Sequence, residues 1–479
     1  MFRLCEEKIQ NWIDNSQKAL LIYGARQVGK TYLVRKMLKQ SNLSFCEYNL
    51  IERTDILNLL IGTDNASDIS EKLAMYSDVA LKENESVIFL DEIQTYPDII
   101  TKIKFLVDEG RYRYVLSGSN LGVELTGIRS IPVGYMESIQ MFPMNYEEFA
   151  IASGITEKML SHIKDCFGGR KPVDSIVHSK LIQAFYYYLI VGGMPAVVRI
   201  YNDTHSLERI DQEQKNIINQ YKADFTKYEQ ENRRLKIISI YDNIPSQLNK
   251  QNRKFSFTML NKELKFDRYE ESFLWLKDAA VAIPTLIVST PQSPLEISKE
   301  TNVFKLFLSD VGLLTSCYPF SLRAQIAEMD PAHELNNGSL FENFVAQEIY
   351  AGCGRSFYYK KKTVGEVDFM IESDGAAIPV EVKSGNDYKH HAALDHLLEN
   401  FKFDEAYVLS PNNVETDGII TYLPIYMAGL IAAGQKYDDI ILPAVSDISS
   451  TDSISGILKE KSPSDIDRQS LRDERITKL

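Results

Sequence analysis

The sequence predicts an α/β protein whose N-terminal part is a parallel sheet with helices on both faces. Four apolar residues, Leu20 to Tyr23, lead into the glycine-rich stretch Gly24 to Thr31, and an amphipathic run follows. A second apolar run, Val87 to Leu90, ends in Asp91-Glu92. Further short apolar runs alternate with helical patterns up to about residue 150. Because parallel strands need crossover connections, which are usually helices, this alternation favours a parallel sheet.

The stretch Gly24 to Thr31 has the form G-x-x-x-x-G-K-[ST], which predicts a phosphate-binding loop for ATP. Its glycines let the backbone N–H groups surround the phosphates, and the positive end of the following helix favours their charge. We expect Lys30 to reach the β- and γ-phosphates and Thr31 to hold Mg²⁺ through its hydroxyl. The predicted nucleotide-binding residues of the loop are Gly24, Ala25, Arg26, Gln27, Val28, Gly29, Lys30 and Thr31.

The acidic strand end argues against the alternative, a glycine-rich turn that only resembles a nucleotide loop. A buried parallel strand presents Asp91 and Glu92 at its carboxyl end, where open α/β sheets bind their ligands. We expect Asp91 to bind Mg²⁺ and Glu92 to polarise the attacking water. Ser117, Ser119 and Asn120 follow the next strand along the chain, and Ser117 and Asn120 join the predicted nucleotide-binding residues; a helix cap or a turn explains each equally well.

Composition limits the remaining classes. At 479 residues the chain is too long for one core, and the length favours about two to four domains. No apolar stretch has the length needed to cross a bilayer, and the five scattered cysteines lack paired metal spacing, which together favour a cytoplasmic location. The net charge of −13 opposes non-specific adhesion to nucleic acid, so any DNA contact requires a local basic patch.

The C-terminal part carries a second group of charged residues. Glu342 lies in a helical run, and two predicted strands hold Glu366 with Asp368 and Glu381 with Lys383. Because alternate residues of a strand share a face, each of these pairs points to one side of its strand. The pattern favours a patch of carboxylates with one lysine. A half-buried hairpin with charged residues on its wet face is the alternative.

Short motifs along the chain resemble a widespread bacterial and archaeal family that joins an AAA-type ATPase domain to a C-terminal domain similar to PD-(D/E)xK nucleases. The resemblance covers residues 1 to about 440. Its motifs are Arg26-Gln27, Asp91 to Gln94, Pro143 to Phe149, Gly192 to Pro195, Ile244 to Leu248, Phe304 to Leu314, and the C-terminal carboxylates.

The resemblance implies roles for the C-terminal residues. Asp368 and Glu381 would bind Mg²⁺ together with Glu342, and Lys383 would orient or help deprotonate the attacking water. Hard oxygen ligands suit Mg²⁺, and a metal-bound water is a nucleophile for phosphodiesters. The alternative is a nuclease-like fold that only docks protein or nucleic acid. The predicted catalytic residues of the chain are Lys30, Glu92, Asp368, Glu381 and Lys383, and its predicted metal ligands are Thr31, Asp91, Glu342, Asp368 and Glu381.

One departure from the family concerns assembly. Many members carry Gly-Arg where this chain has Gly134-Tyr135. An arginine there would be a candidate for completing a neighbour's nucleotide site, and Arg129 is either its substitute or a solvated surface residue. This departure argues against an oligomer that shares an arginine between subunits, and an oligomer without a shared arginine is the alternative.

We predict five segments: an AAA-type P-loop domain (1–150), a helical lid or linker (151–230), a winged-helix-like segment (231–325), a restriction-endonuclease-like α/β domain (326–442) and a polar tail (443–479). Three short helices followed by a hairpin suggest the winged helix. The predicted function is a Mg²⁺-dependent ATPase coupled to a nuclease-like domain that acts on or docks to nucleic acid, with no membrane partner. The alternative is an ATP-dependent switch whose nuclease-like domain is a non-catalytic binding module.

Overall fold

The apolar runs of the N-terminal part form a sheet of five parallel strands in this computed structural model of the chain, which describes residues 1–119, 134–225, 231–249, 255, 269–328 and 337–432. The strands are β1 (Ala19–Gly24), β2 (Ser44–Asn49), β3 (Ser86–Asp91), β4 (Arg113–Ser119) and β5 (Met136–Met141). They lie in the order β2-β3-β4-β1-β5, and every neighbouring pair is parallel. The carboxyl ends of β1, β3 and β4 therefore meet at one edge of the sheet, as predicted.

Helices cover both faces of this sheet. They are α1 (Glu6–Asn15), α2 (Lys30–Gln40), α3 (Thr54–Ile61), α4 (Ala66–Met75) and α5 (Ile99–Glu109). Alternate residues of β3 enter opposite cores: Val87 and Phe89 pack with α1 and α2, whereas Ile88 and Leu90 pack with α3, α4 and α5. A strand buried on both faces needs a continuous apolar run, which is why this pattern marks a central parallel strand.

A helical segment follows. Its helices are α6 (Tyr146–Ala152), α7 (Glu157–Gly168), α8 (Ser175–Val191), α9 (Pro195–Thr204), α10 (Leu207–Phe225), α11 (Glu231–Leu248) and α12 (Glu270–Asp278). The break between α8 and α9 contains Gly192 and Gly193, and Pro195 begins α9 at a position where proline is favoured because its missing N–H needs no partner there.

The second sheet has eight strands. They are β6 (Ala282–Val288), β7 (Lys299–Leu308), β8 (Phe357–Lys361), β9 (Gly365–Ser373), β10 (Ala376–Val382), β11 (Ala406–Ser410), β12 (Glu415–Asp417) and β13 (Ile420–Pro424), in the order β12-β13-β11-β10-β9-β8-β6-β7. The accompanying helices are α13 (Val311–Thr315), α14 (Phe320–Glu328), α15 (Gly338–Cys353), α16 (Ala392–Asn400) and α17 (Ala428–Ala432).

The hairpin predicted as a wing extends the C-terminal sheet. Strands β6 and β7 pair antiparallel, and β6 also pairs in parallel with β8. The predicted boundary at residue 325 thus falls between strands of one sheet. The winged-helix interpretation stays a prediction, because the helix expected at 258–264 lies outside the described residues.

Three other predicted features lie outside the described residues as well: Asn120, Arg129 and the tail at 443–479. Within the described ranges, no helix is long and apolar enough to cross a membrane.

A buried carboxylate joins the C-terminal part to the helical segment. The side chain of Glu348, in α15, accepts a hydrogen bond of 2.9 Å from the backbone N–H of Tyr146 at the start of α6. Burial raises the pKa of Glu348 from 4.5 to about 8, and the nearby charges of Glu148 and Glu147 act in the same direction. The hydrogen bond from Tyr146 opposes this shift without cancelling it.

This raised pKa predicts a pH dependence of stability. Because the folded state binds the proton of Glu348 more tightly than the unfolded state, its contribution is greatest below pH 4.5 and is lost as the pH rises to about 8. Glu348→Gln keeps an acceptor for Tyr146 and removes the titration. We expect the loss of unfolding free energy over this range to be smaller by about 2 kcal/mol or more in the variant, measured by urea denaturation. Glu399→Gln, at an exposed position of α16, should follow the wild type; parallel profiles for Glu348→Gln and the wild type would contradict the assignment.

Candidate functional site

The nucleotide loop, Gly24 to Thr31, connects β1 to α2 through three residues with positive φ. Gly24, Gln27 and Gly29 have φ values of 148°, 64° and 96°. A Cβ on Gly24 would lie 2.1 Å from the carbonyl oxygen of Met141 in β5, so this position admits no side chain. The loop can therefore turn tightly at the sheet edge and leave its N–H groups available to phosphate oxygens.

Lys30 is held at the base of the nucleotide loop. Its ammonium group donates hydrogen bonds of 3.1 Å and 2.8 Å to the carbonyl oxygens of Gly24 and Ala25. Burial lowers the pKa of Lys30 from 10.5 to about 8, and the charges of Glu92 and Asp91 act in the opposite direction. The lysine is thus fixed by backbone carbonyls beside the two carboxylates predicted for the same site.

Asp91 meets the hydroxyl groups of two other predicted residues. Thr31 Oγ1 donates to both carboxylate oxygens, at 3.1 Å and 3.0 Å, and Ser117 Oγ donates to Oδ1. Burial raises the pKa of Asp91, and the hydrogen bonds from Ser117 and Thr31 oppose the rise. A hydroxyl and a carboxylate are hard oxygen ligands, so Thr31 and Asp91 fit Mg²⁺. Ser117 lies on β4, and its partner Asp91 lies at the end of the neighbouring strand β3.

Glu92 begins a chain of polar contacts that the sequence did not reveal. Its backbone is in the left-handed region (φ 59°, ψ 43°), which is uncommon for a residue with a side chain and is found at functional sites. Gln94 donates to the carboxylate of Glu92 and, at 3.2 Å, to Ser119 Oγ. Arg26 Nε lies 3.5 Å from the same hydroxyl, and its Nη1 forms an ion pair of 2.8 Å with Asp224. This series of polar contacts therefore runs from the end of β3, through Ser119 and the nucleotide loop, to α10.

Helix α10 makes further contacts with the nucleotide loop. Tyr221 donates a hydrogen bond of 3.1 Å to the backbone oxygen of Arg26, and the side chain of Gln27 donates to Gln220. The helical segment thus reaches the loop at two successive residues. The lid role predicted for this segment stays a prediction, but the contacts bring it to the expected part of the molecule.

Arg3 also contacts the nucleotide loop. Its guanidinium donates to the carbonyl oxygens of Val28 (2.6 Å) and Phe142 (2.7 Å) and forms an ion pair of 3.0 Å with Glu148. Arg3 and Glu148 are both buried. No sequence motif marks Arg3, since its partners lie far along the chain.

A second polar site lies in the C-terminal sheet. The carboxylate cluster consists of Glu342, Glu366, Asp368 and Glu381, and at its centre is a lysine that the sequence did not reveal. Lys305 Nζ, on β7, lies 2.8 Å from Glu366, 3.6 Å from Asp368 and 3.7 Å from Glu342. The side chain of Lys305 is 0% exposed.

The remaining predicted residues of the cluster also come together. Lys383 donates a hydrogen bond of 3.0 Å to Glu381, and Asp368 accepts one of 3.0 Å from the backbone N–H of Val382. Burial raises the pKa of Glu381, with a further contribution from the charge of Asp368, while Lys383 opposes it. Among the residues that the structure describes, no group of three or more His, Cys, Asp or Glu side chains has an arrangement that could hold a metal ion. The metal role of Glu342, Asp368 and Glu381 therefore stays a prediction.

Comparisons with known families match three stretches of the chain. Residues 16–150 match the model of a family described as an AAA domain. Residues 182–324 and 337–427 match two families described as domains of unknown function, DUF8612 and DUF4143. The first sheet is therefore an AAA-type P-loop domain, whereas the other two matches name no activity. No curated protein matches the chain.

Several solved structures are similar in part. A Walker-type ATPase of Pyrococcus abyssi is 15% identical, with 65% of this chain and 93% of that chain covered and a TM-score of 0.39. Cdc6p from Pyrobaculum aerophilum is 12% identical, with coverage of 69% and 95% and a TM-score of 0.22. The Drosophila ORC bound to DNA is 14% identical, with coverage of 68% and 95% and a TM-score of 0.24. At these TM-scores the likenesses carry no argument about function.

Proposed function

We propose that the nucleotide loop and the end of β3 bind ATP with Mg²⁺ and hydrolyse its terminal phosphate bond. One observation carries the proposal: Thr31 Oγ1 lies 3.0 Å from an oxygen of Asp91, and the charge of Asp91 acts on the buried ammonium of Lys30. A hydroxyl, a carboxylate and a lysine on adjoining parts of a glycine-rich loop and a strand end are the parts that phosphoryl transfer requires.

Each residue has a role in this proposal. The loop N–H groups and Lys30 bind the phosphates, and Thr31 and Asp91 hold Mg²⁺, which neutralises charge on the phosphate oxygens when bound. Glu92 accepts a hydrogen bond from the attacking water and orients it for in-line attack on the γ-phosphate. Gln94 holds the Glu92 carboxylate in position and is therefore a positioning residue.

Two substitutions separate binding from chemistry. Lys30→Ala should abolish ATP binding, because it removes the buried charge that pairs with the phosphates. Glu92→Gln should keep the binding and lower kcat by at least about 100-fold, the contribution typical of a general base. Isothermal titration with ATP and a phosphate-release assay measure the two effects. Lys36→Ala changes a lysine of the same helix that pairs with Glu6, and it should leave both unchanged. ATP turnover in purified Lys30→Ala would refute the site.

Arg26 supplies a positive charge from the same chain in this proposal. Its ion pair with Asp224 holds the guanidinium beside Ser119, at the carboxyl end of β4. The γ-phosphate competes with Asp224 for this guanidinium, and the charge then stabilises the transition state in the way that arginine fingers do. Such a role requires no arginine at Gly134-Tyr135.

Arg26→Ala should therefore lower kcat about 100-fold while KM changes little, because the interaction is strongest in the transition state. Asp224→Asn should keep turnover at or above the wild-type rate, since it removes the competitor. Arg35→Ala is a matched control: its guanidinium pairs with Glu47 and is 49% exposed. Steady-state kinetics decide the matter, and wild-type kcat in Arg26→Ala would exclude the role.

A second function concerns the C-terminal sheet. There Lys305 pairs with three of the carboxylates predicted for a metal, which favours a role without metal-dependent cleavage. We propose that the C-terminal sheet docks nucleic acid without cleaving it and that ATP turnover responds to the contact. Lys361 and Lys362 are exposed at the turn between β8 and β9, where a phosphate backbone has access to them. The neighbouring aromatic residues Tyr358 and Tyr359 are buried, so their rings pack in the sheet and do not stack on bases.

The prediction is that duplex or branched DNA raises the ATP turnover rate and stays intact in Mg²⁺ or Mn²⁺. The double variant Lys361→Ala, Lys362→Ala should lose the stimulation and keep basal turnover, because it removes only the contact with the backbone. Phosphate release and gel electrophoresis of linear, nicked and branched DNA are the measurements. Cleavage that disappears in Asp368→Asn would support the nuclease alternative instead, and DNA without effect on either assay would reject the docking role.

A further inference from the structure

We infer that the ammonium of Lys305 is the resident cation of the carboxylate cluster and that the cluster excludes divalent metals. Lys305 lies on β7, and the carboxylates that surround it come from α15 and β9. The inference deepens the proposed non-cleaving role of the C-terminal sheet and rests on it. It is independent of the ATP site and of any particular docking partner.

The contacts of Lys305 compensate its charge. A buried ammonium is stable only when it is paired, since burial removes its hydration. Lys305 Nζ is 2.8 Å from Glu366, with Asp368 and Glu342 at 3.6 Å and 3.7 Å. The rings of Tyr358 and Phe369 lie 5.0 Å and 5.9 Å from the ammonium and add cation–π attraction. These partners come from β8, β9 and α15.

The same contacts disfavour a metal ion. Mg²⁺ binds oxygen ligands at about 2.1 Å in nearly octahedral geometry. An ion bound to the nearer oxygen of Asp368 would lie within about 6 Å of the Lys305 ammonium, and in a buried site the two positive charges would repel strongly. Lys305 does not avoid this repulsion by turning toward solvent, because its side chain is fully enclosed.

The charges of the cluster balance almost completely without a metal. Each of three lysines pairs with at least one carboxylate: Lys360 Nζ is 2.6 Å from Glu366, Lys383 Nζ is 3.0 Å from Glu381, and Lys305 contacts Glu366, Asp368 and Glu342. Three ammonium groups therefore face four carboxylates. The residual negative charge is small compared with that of a site made of carboxylates alone, so the attraction for a divalent ion is weak.

The test uses the full chain without nucleotide, with Mn²⁺ as the probe. Between EDTA and millimolar Mn²⁺, the wild type and Asp368→Asn should show the same difference in melting temperature, which comes from the Thr31 and Asp91 site alone. Lys305→Ala should melt at a lower temperature in EDTA, because it leaves buried carboxylates without their cation, and Mn²⁺ should restore part of the loss. Isothermal titration should give Lys305→Ala one Mn²⁺ site at least tenfold tighter than any site of the wild type, and this site should vanish when Asp368→Asn is added.

Lys360→Ala is the matched control. It removes a lysine from the same Glu366, but its side chain is 36% exposed and Lys305 remains in the cluster, so no Mn²⁺ site should appear. The Thr31 and Asp91 oxygens are present in all variants, so any Mn²⁺ that they bind contributes equally to every titration. Lys305→Met provides a closer match in volume if Lys305→Ala fails to fold, as judged by circular dichroism and ATP turnover.

Two results would overturn the inference. One is Mn²⁺ binding by the wild type that is lost in Asp368→Asn, and the other is a folded Lys305 variant that gains no Mn²⁺ site. If neither Lys305 variant folds, the wild-type titration decides alone: Mn²⁺ binding dependent on Asp368 rejects the inference, and its absence supports it. Failure of DNA to stimulate ATP turnover would reject the docking role and leave this result unchanged.

Discussion

The close backbone contact at Gly193 joins three parts of the protein. Its carbonyl oxygen accepts a hydrogen bond of 2.7 Å from the N–H of Met144, and its own N–H donates one of 2.6 Å to Asp310, just after β7. A Cβ at Gly193 would lie 1.9 Å from the carbonyl oxygen of Met144, so no other residue permits this approach. Asp310 is buried and also accepts a hydrogen bond from the N–H of Leu313, which caps α13. The first sheet, the helical segment and the second sheet thus share one small buried region.

This region lies close to both polar sites. Pro195, two residues after Gly193, is the nearest residue to the Cβ position of Gly29 in the nucleotide loop, at 3.7 Å. On the other side, β7 carries Lys305 and ends just before Asp310. Buried contacts and one strand therefore connect the nucleotide loop with the carboxylate cluster. A movement of either site would have to be accommodated around the close backbone contact at Gly193.

The two sites show how partners decide what a buried lysine can do. Lys30 is held by two carbonyl oxygens, which orient the ammonium and carry no full negative charge, so the ammonium stays available to a phosphate. Lys305 is surrounded by carboxylates, which compensate its charge within the protein. Both residues are buried and both stand beside acids. The arrangement around Lys30 suits an anionic ligand. The ammonium of Lys305 occupies the centre of a carboxylate cluster that, judged by residue types alone, would be assigned to a metal.

Local patterns in the sequence determined the parallel sheet of the first domain and named most of the residues proposed for the two sites. The spacing of glycine, lysine and threonine and the apolar run before Asp91 are governed by backbone geometry and burial over a few residues, so they could be recognised without the structure. Likewise Glu342, Asp368 and Glu381 lie on the helix and strands expected for them. Only the tertiary structure decided the partners. No pattern in the sequence assigned a role to Lys305, Arg3, Gln94 or Asp224, and the edge pairing that places β6 and β7 in the second sheet leaves no local pattern. The physical reason is that ion pairs and strand pairing depend on residues far apart in the chain, whose proximity arises only when the chain is folded.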